Sequence, residues 1–148
     1  MGLKDELEKA LYAAMKEKDQ SRRDVLRMAL SAIKQNEIDS QSDLDDVNIF
    51  SILQKEIKMR EETIAEAQKA ERTKMIIPLE EEILILKEFL PKELSDEELK
   101  TVVLKIIDQE NASTMRDIGR VMKQTIAEVS GKASNNRISK IVKDLLAQ

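Results

Sequence analysis

Cysteine and histidine are absent from the 148 residues, and there are only three aromatics (Tyr12, Phe50, Phe89), three glycines and two prolines. Without cysteine there is no disulfide framework, thiolate nucleophile or cysteine metal site. Without histidine the commonest general base, the Ser-His-Asp arrangement and imidazole ligands go too. Scarce glycine and proline leave little turn chemistry, which excludes a many-stranded β fold. The longest apolar run, Ala10 to Met15, is far short of the roughly 20 residues that cross a bilayer. Asp5 and Glu6 stand where a secretory signal would be apolar, and Glu6 occupies the Ser/Thr position of a myristoylation signal. No membrane association and a cytoplasmic location are therefore expected.

What the chain does have is 41% hydrophobic and 36% charged residues, dominated by helix formers. The expected fold is all-α. Leu3, Leu7, Leu11 and Met15 recur every fourth residue, predicting a first helix over 3–18, with Ala10 and Ala14 widening its stripe. A second helix carries Val25, Leu26, Ala29, Leu30 and Ile33 to about Ile38. An acidic loop follows (39–46), then a third helix from Asp46 to about Arg72 that turns Phe50, Leu53, Ile57, Ile64 and Ala67 inward. Pro78 is placed at the start of a fourth helix ending near Leu90, with Glu80 to Glu82 in its first turn. Pro91 to Leu94 reads as a hinge. Beyond it, Ser95 with Glu98 forms a capping box, Thr114 caps a sixth helix stopped by Gly131, and Ser134 caps the last. The predicted organisation is an N-terminal four-helix subdomain over 1–91 and a three-helix tail over 92–148.

Charge is uneven. From Asn111 onward seven bases face three acids, a local +4, so the preceding part carries −8 of the net −4. A basic end on an acidic body suits local engagement of phosphates, although solvated helix faces look the same in sequence. Stacking on unpaired bases is not expected, because Tyr12 and Phe50 fall on or beside apolar stripes and Phe89 precedes the hinge. Adjacent acids such as Glu61–Glu62 and Glu80–Glu82 point about 100° apart on a helix and do not converge on one atom. No phosphate-cradling glycine loop is present. Met15, Met28, Met115 and Met122 lie on or near the stripes and read as core filling. Gly119, inside the sixth helix, costs roughly 1 kcal/mol relative to alanine. It asks for a reason: a helix packed closely against it, or a ligand approaching the backbone.

Several strings together resemble the GatB/YqeY family. They are Gly119-Arg120-Val121-Met122, Gly131-Lys132-Ala133 and Ile138-Ser139-Lys140-Ile141-Val142-Lys143-Asp144-Leu145-Leu146 in the tail. Earlier come Gln54-Lys55-Glu56-Ile57-Lys58-Met59-Arg60, Ala70-Glu71-Arg72, Glu82-Ile83 and Phe89-Leu90-Pro91, then Leu94-Ser95-Asp96-Glu97-Glu98-Leu99. The resemblance spans nearly the whole chain. It implies an all-helical protein of two subdomains, related to the helical tail of the tRNA-dependent Asp/Glu amidotransferase B subunit, which helps hold tRNA. The catalytic domain of that subunit has no counterpart here. The family label of carbon–nitrogen ligase activity with glutamine as amido-N-donor therefore describes relatives, not chemistry expected of these residues. Ser134 and Asn135 stand where the family usually has an acid and a glycine, and Pro78 interrupts what relatives often keep as helix.

These features together point to a non-catalytic tRNA-associated module with no cofactor and no metal. Its candidate phosphate contacts are Arg116, Gly119, Arg120, Lys123, Lys132, Arg137 and Lys140. The alternative is a protein-interaction adaptor without nucleic-acid binding, using the acidic N-terminal part.

Overall fold

The computed structural model describes residues 2–147, and among them every regular element is helical. The helices are α1 (Leu3–Lys16), α2 (Gln20–Ser40), α3 (Asp46–Lys69), α4 (Ile76–Lys87), α5 (Asp96–Gln109), α6 (Ile118–Val129) and α7 (Asn135–Leu146). Short 3₁₀ turns, Thr73–Met75 and Met115–Asp117, lead into α4 and α6. The chain forms two compact units, Met1–Leu90 and Pro91–Gln148.

The first unit closes around Leu3, Leu7 and Ala14 of α1, Val25, Leu26, Ala29 and Ile33 of α2, Ile49, Leu53 and Ile57 of α3, and Ile83 and Leu86 of α4. Met15, by contrast, is exposed, as is Tyr12 beside it. A strict four-residue repeat advances about 40° per step on a helix of 3.6 residues per turn. Three steps from Leu3 carry Met15 roughly 120° off the core, and Ala14, seven residues after Leu7, takes the place. Met28 and Met115 are exposed as well, so only Met122, half-buried against the second core, matches the core-filling expectation.

Helix starts follow side-chain caps: Asp19, Asp45, Ser95 and Ser134 each accept a backbone N–H from the first turn. Asp46 adds a tertiary cap by accepting the Leu3 N–H at 3.1 Å. Pro78 is the third residue of α4 rather than the first, and it still sits in the turn whose N–H groups lack helical partners. With the helix starting at Ile76, Glu80 to Glu82 lie beyond its first turn.

Helix ends follow a device that the sequence conceals. Lys18, Gln41, Glu71 and Asn111 all take the left-handed conformation, with φ between 52° and 60°. The next residue's N–H then reaches back across the helix end, as from Arg72 to the Ala67 carbonyl at 2.8 Å. Side chains other than glycine and asparagine resist that conformation. Gln41→Gly and Glu71→Gly are each expected to stabilise the chain by about 0.5–1 kcal/mol, the relief of strain outweighing glycine's greater unfolded entropy. Denaturant titration checks this, and a loss of stability in both variants would contradict it.

The second unit packs Leu99, Val103 and Ile106 of α5 against Val121 and Val129 of α6 and Ile138, Val142 and Leu146 of α7. Thr125 is fully buried there, its hydroxyl donating to the Val121 carbonyl at 2.8 Å. α6 ends at Val129, where Ser130 (φ 42°) and Gly131 (φ 86°) turn the chain, and Asn135 is already helical.

Candidate nucleic-acid interface

The start of α6 is built by Thr114 and Asp117. The Thr114 hydroxyl accepts the Arg116 N–H at 3.3 Å, while the Asp117 carboxylate accepts the Ser113 and Thr114 N–H groups at 2.9 and 3.2 Å. Those two backbone donors are the main reason the Asp117 carboxyl titrates below the ordinary aspartate range. At α5 the Ser95 hydroxyl accepts the Glu98 N–H, and the Glu98 carboxylate accepts the Ser95 N–H at 3.0 Å. This holds the Glu98 carboxyl below its usual value. A carboxylate whose folded pKa is depressed contributes stability above its unfolded pKa and loses it as pH falls through the folded one. Both caps therefore weaken below about pH 4. Glu98→Gln should flatten the acid limb of the stability–pH curve; an unchanged limb would contradict the cap's role.

Within α6, Lys123 stands four residues after Gly119 and three after Arg120, so all three share one side of the start of the helix, and Arg116 lies in the 3₁₀ turn that leads into it. All four are exposed. A Cβ built on Gly119 would meet nothing within 4 Å. The close helix packing considered for this glycine is therefore absent, and its backbone faces open space. The Arg120 guanidinium is already engaged, 2.9 Å from Asp117 and 3.7 Å from Glu110.

The remaining candidates are elsewhere. Lys132 lies past the far end of α6, with about 9 Å of helix between Lys123 and the last residue, Val129. Its carbonyl accepts the Leu94 N–H at 2.7 Å, and its ammonium is among the charges acting on Glu98. Arg137 spans inward: one guanidinium nitrogen donates to the Leu94 carbonyl and the Asp96 carboxylate, both at 2.8 Å. It ties the entry of α5 to α7. Lys140, one turn on, is exposed. Among the described residues Arg116, Lys123, Lys132 and Lys140 make no ion pair.

The first unit also holds a buried charge cluster. Arg60 is 6% exposed and Glu56 8%. One Arg60 nitrogen donates to the Glu56 carbonyl at 2.9 Å and to its carboxylate at 3.3 Å, and another meets the Met28 sulfur at 3.7 Å. Glu82 of α4 stands 3.8 Å from Nε, which has no hydrogen-bond partner. The spacing of four between Glu56 and Arg60 is visible in sequence; their burial, and the arrival of Glu82, depend on how α3 and α4 pack. These residues tie helices together rather than facing a ligand.

No helix among the described residues is long and apolar enough to cross a membrane. The family described as Yqey-like protein matches residues 4–146. A protein named "Altered inheritance of mitochondria protein 41, mitochondrial" from Lachancea thermotolerans is 38% identical over 89 residues, 60% of this chain and 46% of that protein. Its namesake from Kluyveromyces lactis is 38% identical over 88 residues, covering 59% and 45%. The chain thus matches less than half the length of these relatives. Both are named as mitochondrial, which overturns the cytoplasmic location expected from the sequence. That expectation rested on lacking a spanning run and a secretory signal, neither of which separates cytoplasm from organelle interior.

Proposed function

Because this chain belongs to the YqeY-like family, which is related to the helical tail of the amidotransferase B subunit, we propose that it acts without catalysis, as an all-helical module that holds tRNA by its phosphate backbone. The two-part organisation, four helices then a three-helix tail, is part of this proposal, with the tail as the holding part. One observation carries it. Gly119 presents bare helix backbone to open space, flanked by Arg116, Arg120 and Lys123. A phosphate can come closer to such a backbone than to any residue with a side chain. Lys132 and Lys140 add charge from other parts of the same unit, whereas Arg137 serves the fold. Contacts of this kind fix position and carry little sequence information.

The test is the salt dependence of tRNA binding by variants. Arg116→Ala combined with Lys123→Ala should flatten the slope of log affinity against log salt by about two, one for each phosphate no longer neutralised. Arg120→Ala should flatten it less, because Asp117 and Glu110 already hold that guanidinium. Slopes identical to the parent's in both variants would refute the interface.

A further inference from the structure

Among the described residues, nothing covers the outer face of α4. Of its twelve residues seven are Ile or Leu, on all sides of the helix. A helix apolar all round is normally covered all round. Here Ile83 and Leu86 are buried, while Ile77 and Leu84 are 67% and 64% exposed. Seven residues apart, they stand about 10 Å from each other on one line along the helix. Glu80 and Glu81 lie between them, exposed, and no ion pair among the described residues neutralises either one. Glu88, further along, is taken up by Arg22 at 2.7 Å.

We propose that this ridge is a docking site for a cationic amphipathic helix of a partner protein, one that sets apolar residues on Ile77 and Leu84 and lysine or arginine against Glu80 and Glu81. Charge complementarity selects the occupant. An anionic membrane surface and a polynucleotide are both repelled by the two free carboxylates. A second copy meeting the ridge symmetrically would set Glu80 and Glu81 against their own equivalents, and like charges in such a contact are costly. A basic helix satisfies the acids and covers the apolar pair at once. The ridge belongs to the first unit and the tRNA-holding residues to the second, so either reading can fail while the other stands.

The experiment uses the full chain and a fluorescent peptide of about 18 residues, leucine at helical spacings of three and four and lysine elsewhere, with a second peptide carrying glutamate for lysine. Fluorescence anisotropy should show saturable binding of the lysine peptide, weaker by about tenfold or more for the glutamate peptide. Ile77→Ser with Leu84→Ser should weaken binding by about tenfold or more, and so should Glu80→Lys with Glu81→Lys. All four positions are at the surface, and circular dichroism confirms that the variants keep their helices. The proposal is overturned if the serine variant binds as well as the parent, since charge alone would then account for binding. It is also overturned if the two peptides bind equally, or if sedimentation shows a dimer that the serine variant dissolves.

Discussion

Arg60→Met is expected to destabilise the chain by about 3–5 kcal/mol, because it leaves the Glu56 carboxylate buried with no opposite charge in contact. Against a total stability of roughly 5–15 kcal/mol for a domain, that loss is large. The cost belongs to the stranded partner more than to the ion pair itself. Glu56 and Arg60 are both more than nine-tenths buried, and the pair must offset the desolvation of two charges. The arginine also leaves Nε without a hydrogen bond, at 3.8 Å from Glu82. Adding Glu56→Leu to Arg60→Met should therefore recover much of the loss, because neither charge is then left buried. Denaturant unfolding of the two single variants and the double variant measures it. A double variant that loses the sum of the single losses would show that the two charges are not coupled.

Gly119→Ala is expected to separate stability from binding. Nothing lies within 4 Å of the added methyl, and alanine is the better helix former, so the variant should gain about 0.5–1 kcal/mol. The same methyl would hold a phosphate away from the backbone and weaken tRNA binding by about fivefold or more. A structural glycine would behave in the opposite way, losing stability first and binding only as a consequence. Thermal melts and tRNA titrations on one preparation distinguish the two. A stabilised variant with unchanged affinity would leave Gly119 without a role in the interface.

Much of the fold is legible in the sequence because it depends on local chemistry. Ser95, Thr114 and Ser134 announce the starts of helical segments with side chains suited to capping. The apolar face of α2 follows its spacing. Legibility fails where a feature depends on accumulated geometry or on distant partners. Met15 fits a four-residue repeat that the helix itself does not keep. Lys18, Gln41 and Glu71 end helices in a conformation their side chains disfavour, so no residue type marks those ends. Arg137 looks like any other tail cation until Leu94 and Asp96, more than forty residues earlier, are found beside it. Gly119 shows the reverse: its oddity is visible in sequence, but only the empty space around it decides between packing and approach. The candidate site is therefore legible as a set of charges, and the structure sorts that set by which charges already have partners.

The central claim is that the unpaired cations of the second unit meet a phosphate backbone. Titrating tRNA into the purified full chain at about 50 and 200 mM salt tests it most directly. With about four phosphate contacts, from Arg116, Lys123, Lys132 and Lys140, the affinity should fall roughly 100-fold between the two conditions. No binding at the lower salt, or binding of equal strength at both, would contradict it.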